Sequence, residues 1–207
     1  MRIKDDCFNV EDRLRVKQQL ISLIEQPSDT TVRPCPGCRF VNLKEQLTTS
    51  AKYCSFRCPA AANEMSSDPD KYPIEGAVVP IVYALYTLRL MMPCWSCEGH
   101  LDGMGNIGKH PKVWFYTTAD FCPKLLAQYL SSLKAKKKIE NEWGIRILPF
   151  SQSMLTTTYS LEPLKPKDSA EHLKSYQEDL YSIAVNLRKD ILFIAKGYVD
   201  KINNSAF

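Results

Sequence analysis

Four cysteines fall in two tight pairs, Cys35-Pro36-Gly37-Cys38 and Cys54-Ser55-Phe56-Arg57-Cys58, a spacing that lets four thiolates converge on one tetrahedral zinc. Gly37 permits the tight turn of the first pair. The fifteen residues between the pairs leave room for a short hairpin. The second pair runs into the helix-friendly Ala60-Ala61-Ala62-Asn63-Glu64. Cys54 and Cys58 are therefore expected to meet the metal from a helix N-terminus, whose partial positive charge favours thiolate. Knuckle, hairpin and helix-borne ligands describe a treble clef, with one structural zinc on Cys35, Cys38, Cys54 and Cys58.

A second cluster occupies residues 94–102, Cys94-Trp95-Ser96-Cys97-Glu98-Gly99-His100-Leu101-Asp102. It gathers two thiols, two carboxylates and an imidazole at the end of an expected strand, just before Gly103, Gly105 and Gly108. Three readings fit. In the first, Cys94, Cys97 and His100 hold a second metal, with His110 or Cys122 as a further ligand and Glu98 near enough to handle a proton. In the second, Cys94 and Cys97 are a redox pair, although such a motif wants its first cysteine at a helix N-terminus and here a loop follows. In the third, the cysteines are small core residues and His100 bonds backbone at a turn.

If the chain is an enzyme, Cys97, Glu98, His100 and Asp102 are the candidate catalytic residues, because imidazole and carboxylate move protons near neutral pH. Trp95 or Trp114 would then supply an apolar wall. Strand alternation sets Cys94 and Ser96 opposite Trp95 and Cys97, so both thiols reach one metal only if the strand has ended by Ser96. Gly99, Gly103 and Gly105 carry little bulk, so Cys97 and His100 are expected to lie beside an open cleft.

The elements that must position these groups follow from periodicity. Residues 9–26 read as an amphipathic helix with Val10, Leu14, Ile21 and Ile24 on one side, stopped by Pro27. Ser66-Ser67-Asp68-Pro69-Asp70 reads as a linker, which divides the chain into an N-terminal helix and zinc module, 1–66, and a larger domain, 72–207. In that domain, helix is expected over 75–90, strand over 112–117, and helix again where Phe121, Leu125, Leu126, Tyr129, Leu130 and Leu133 make a stripe ending in lysines. Strands are expected at 144–151 and about 154–162. A capping box from Asp168 to Glu171 then opens a long helix through Leu173, Tyr176, Leu180, Ile183, Leu187, Ile191 and Ile194. The fold class is α+β.

A length of 207 residues with 44% hydrophobic content supports a sizeable core. The formal charge of +4 is a mild basic excess, compatible with nucleic acid or an anionic ligand without requiring either. No secretory leader is evident at Met1, and the most apolar stretch, 77–92, contains Pro80 and Arg89 and is too short for a bilayer. A soluble cytoplasmic protein without a membrane partner is expected, a compartment in which eight cysteines point to metal before disulfides.

Two resemblances add to this reading. The Cys-Pro-Gly-Cys knuckle followed by Tyr53-Cys54-Ser55-Phe56-Arg57-Cys58 resembles the small bacterial zinc proteins that inhibit gyrase, over residues 33–65. It implies a fold, since treble clefs serve many purposes. Residues 74–85, followed by Ser96-Cys97-Glu98-Gly99-His100 and the strand Val113-Trp114-Phe115-Tyr116, look like the opening of the wybutosine-synthesis methyltransferase family, which modifies tRNA. Ser96, Cys97 and Gly99 match that family's short motif, while Glu98 and His100 replace a serine and an arginine. Two functions therefore stand side by side: a site at residues 94–102 acting on RNA or a small metabolite, and a zinc adaptor that contacts nucleic acid or a protein.

Overall fold

The computed structural model describes residues 10–25, 74–117, 119–148 and 157–204. The expected treble clef and its ligands Cys35, Cys38, Cys54 and Cys58 lie outside the described residues. In chain order the elements are α1 (Val10–Glu25), α2 (Val79–Tyr86), β1 (Met92–Cys97), β2 (His100–Leu101), β3 (Ile107–Lys109), β4 (Lys112–Thr117), α3 (Phe121–Ala135), β5 (Trp143–Ile147), β6 (Thr157–Pro163) and α4 (Ala170–Asn204). β1, β4, β6 and β5 form one sheet in that order, every pair antiparallel, while β2 and β3 make a small separate hairpin. Helix packed on an antiparallel sheet is the α+β class expected from the sequence. No described helix is long and apolar enough to cross a membrane.

One sheet face builds the core. Val113 and Phe115 on β4 are fully buried and pair across to Leu161 and Tyr159 on β6, whose rings and branches meet the helices. From the helix side come Leu125, Leu126, Tyr129, Leu130 and Leu133 of α3 and Tyr176, Leu180, Ile183, Leu187 and Ile191 of α4, all buried at helical spacing. α4 is the common neighbour, packing on α1, α2 and α3.

The opposite face is polar and aromatic. Across the strands runs the row Trp95, Trp114, Ser160 and Arg146, held in register by backbone pairing. Arg146 Nε donates to Glu162 at 2.9 Å, and Ser160 Oγ donates to the other oxygen of that carboxylate at 2.7 Å.

Several local expectations need revision. On α1 the buried side chains are Leu20 and Leu23, with Val16 and Ile24 packed beside them, whereas Leu14 is 43% exposed. The inward stripe is thus rotated from the expected one, because packing on α4 selects the face that meets apolar partners. The helix expected over 75–90 is shorter, with Pro80 in its first turn and residues 74–78 left as a loop. The fifth strand ends at Ile147. The capping box does not form, since α4 begins only at Ala170 and the Asp168 carboxylate pairs with His110 at 3.2 Å.

Candidate metal centre

β1 does not run as a regular strand. Pro93 pairs with Phe115 and Trp95 with Trp114, so Cys94 is the extra residue of a bulge. The bulge leaves Cys94 exposed, whereas Cys97, paired with Lys112 at the end of the strand, is buried. Cross-strand partners share a face, so Cys97 lies on the same side as Trp95 and Trp114. The alternation expected between Ser96 and its neighbours holds from Trp95 onward, and fails at Cys94 because the bulge adds one residue.

After Cys97 the chain reverses through Gly99, whose φ of +85° lies in the left-handed region. A Cβ at Gly99 would sit 2.6 Å from Leu173 Cδ1 and 2.8 Å from Pro111 Cδ. Gly99 is therefore a close-packed turn, not the open space expected of it, while Gly103 and Gly105 face open surroundings. The reversal swings His100 back over Cys97. There His100 Nε2 lies 2.7 Å from Glu75 Oε1, and Glu75 also accepts a hydrogen bond from the Glu98 N–H at 2.6 Å.

Glu75, Cys97 and His100 thus present an oxygen, a sulfur and a nitrogen all within 4.8 Å of one another, a group able to hold a metal ion. Cys97 is 5% exposed, whereas the side chains of His100 and Glu75 keep 46% and 33% of their surface. The cluster is closed on the thiol side and open on the imidazole side. Burial pushes the Cys97 thiol above its ordinary range and the Glu75 carboxylate adds to that, while the Gly99 N–H and Lys109 pull the other way.

Of the residues singled out in the sequence, Cys97 and His100 come together and Cys94 does not join them; Glu75 takes the third position. Cys122 lies in α3, where burial pushes its thiol up to about 12, and His110 is drawn to Asp168. The Glu98 carboxylate accepts the Ala77 N–H at 2.7 Å while its own N–H donates to Glu75 at 2.6 Å. These reciprocal bonds clamp the loop before α2 to the end of β1. Asp102 caps the β2–β3 turn, accepting from the backbone N–H groups of Met104 and Asn106, each at 2.9 Å. Glu75 was missed because tertiary folding alone brings it to the cluster. Its one sequence signal is an acid at the lip of an apolar helix.

α4 braces the site from behind, with Gln177 Nε2 donating to the Glu98 carbonyl at 3.1 Å and Leu173 covering Gly99. A hollow of about 640 Å³ lies elsewhere, between the end of α3 and α4, where Lys134 and Asp179 are occupied in holding Glu140, Asn141 and Trp143. No protein-family model matches the chain, and neither a curated protein nor a solved structure does. The chemistry of the site therefore rests on its own geometry.

Proposed function

We propose that the chain is a metal-dependent enzyme whose centre is Glu75, Cys97 and His100, with a zinc ion held by three protein ligands and a fourth position open toward solvent. The observation that carries this reading is the convergence of three different donor atoms within 4.8 Å, from two segments far apart in sequence. In a tetrahedral zinc site, metal–ligand bonds of 2.0–2.3 Å place ligand atoms about 3.3–3.8 Å from each other. The His100–Glu75 contact of 2.7 Å has only to open slightly to admit the ion. A mixed oxygen, sulfur and nitrogen set favours zinc or another late first-row divalent ion over magnesium or calcium, which take oxygen alone.

When bound, such an ion supplies Lewis-acid polarisation of a substrate oxygen or an activated water. The chain's own residues prepare the position. Glu98 fixes the Glu75 loop through its two bonds, Gly99 sets the Cys97-to-His100 reversal, and burial of Cys97 screens the sulfur from water. The four N-terminal cysteines form a separate structural zinc site in this reading, so the full chain binds two ions.

Metal analysis of the purified full-length chain, with cobalt substitution to read thiolate coordination, tests the proposal. Wild type should hold two equivalents. Cys97→Ser and His100→Ala should each lose one while Cys54→Ser loses the other. Two equivalents retained in both Cys97→Ser and His100→Ala would overturn the proposal.

A further inference from the structure

Beside the candidate metal centre, the outer sheet face carries an aromatic pair. The rings of Trp95 and Trp114 lie 4.6 Å apart at 38°, and Trp95 keeps 43% of its surface exposed. Trp95 and Cys97 are two positions apart on one strand and share a face, so about 6.6 Å separates them along the chain. A lysine stands across from each of two metal ligands: Lys112 pairs with Cys97, and Lys109 with His100. Neither lysine is in an ion pair among the described residues.

Charge then selects the ligand. A divalent ion on a carboxylate, a thiolate and a neutral imidazole sums to zero. The Glu98 and Asp102 carboxylates of the same segment are turned to backbone N–H groups, so the two lysines stand as the cations beside an exposed ring pair. A planar group stacks on tryptophan, and a phosphate monoester, carrying about −1.5 to −2 at neutral pH, matches two lysines. The short spacing between rings and ligands suits one nucleotide unit, base on the rings and phosphate at the metal.

We infer that this face binds a mononucleotide, its base stacked on Trp95 against Trp114 and its phosphate placed over the metal ligands between Lys109 and Lys112. The phosphate's position rests on the metal-centre reading; the stacking platform and the lysines do not. This makes the two separable by experiment.

The test is titration of the zinc-loaded full-length protein with adenosine 5′-monophosphate, followed by tryptophan fluorescence and calorimetry, with zinc content measured in parallel. Adenosine and inorganic phosphate should each bind at least about tenfold more weakly than the nucleotide. Trp95→Ala should weaken nucleotide binding about tenfold, with Trp95→Phe recovering most of it. The Lys109→Ala, Lys112→Ala double variant should reduce nucleotide affinity to that of adenosine. Phosphate binding as tightly as the nucleotide, or unchanged affinity in Trp95→Ala, would overturn the inference. So would a single-stranded trinucleotide binding tenfold tighter than the mononucleotide, which would assign the face to a polymer. If zinc occupies the triad and no nucleotide binds, this inference falls and the metal reading stands. If the nucleotide binds through Trp95 and the lysines without zinc at the triad, the metal reading falls and the nucleotide site stands.

Discussion

Two carboxylates in this molecule gather several partners each, and they do different things. Asp179, 4% exposed on α4, accepts from the Glu140 and Asn141 N–H groups at 2.7 and 2.8 Å, from Asn141 Nδ2 at 2.9 Å and from Trp143 Nε1 at 3.0 Å. Glu75, one third exposed, accepts from the Glu98 N–H and faces the Cys97 thiol and the His100 ring. Every partner of Asp179 is an N–H that keeps its proton at any ordinary pH, so its carboxylate can only be a fastener. Two of Glu75's neighbours are groups that give up or share a proton and then bind a cation. What distinguishes a candidate site from a structural knot is therefore the chemistry of the partners and not their number.

The contrast breaks most visibly at Asp179. Asp179→Ala strips four donors of their acceptor, one of them a buried indole, and should lower the unfolding free energy by about 3 kcal/mol while zinc content stays unchanged. Glu75→Ala should do the reverse, with one zinc equivalent gone but, when both proteins are compared metal-free, a loss of less than about 1 kcal/mol. Chemical denaturation with parallel metal analysis reads both. Equal stability losses in the two variants would dissolve the distinction.

A smaller but sharper test is Gly99→Ala. Its positive φ and the 2.6 Å approach to Leu173 together should cost about 2–3 kcal/mol, and the displaced reversal should weaken zinc binding as well. Gln177→Ala removes the bond to the Glu98 carbonyl and should cost about 1 kcal/mol, with zinc affinity falling about tenfold. A competitive chelator titration checks that value. At the bottom of the scale, the exposed Glu142–Lys165 pair, 2.8 Å apart, should be silent: Lys165→Ala should leave the melting temperature within error at physiological salt.

Where the sequence was legible, one periodicity dominated a segment. The stripe from Leu125 to Leu133 and the series along α4 could only be helices with an apolar face, and both are buried, with Leu173 and Ile194 at the ends of the second only partly so. The β4 strand carries its alternation in plain residue types, with Val113 and Phe115 inward and Trp114 and Tyr116 outward. Cys97 and His100 were legible as a pair because the C-x-x-H spacing is local. Glu75 was not, since nothing in its neighbourhood records a hydrogen bond to a backbone N–H far along the chain. Cys94 was misplaced for a related reason: a bulge is set by pairing with β4, which the strand's own residues do not encode. The same holds for α1, whose inward face was decided by α4.

The brace from α4 has a temporal consequence. Of the described elements α4 is made last, and it supplies both Leu173, which covers Gly99, and Gln177, which holds the Glu98 carbonyl. A nascent chain that has already produced Glu75, Cys97 and His100 still lacks the beam that keeps the reversal in shape. Capture of the ion at this centre should accordingly follow docking of the terminal helix, a late event built from contacts distant in sequence. Refolding followed at once by helix signal and metal uptake would show the second lagging the first, so that an occupied centre reports a docked α4.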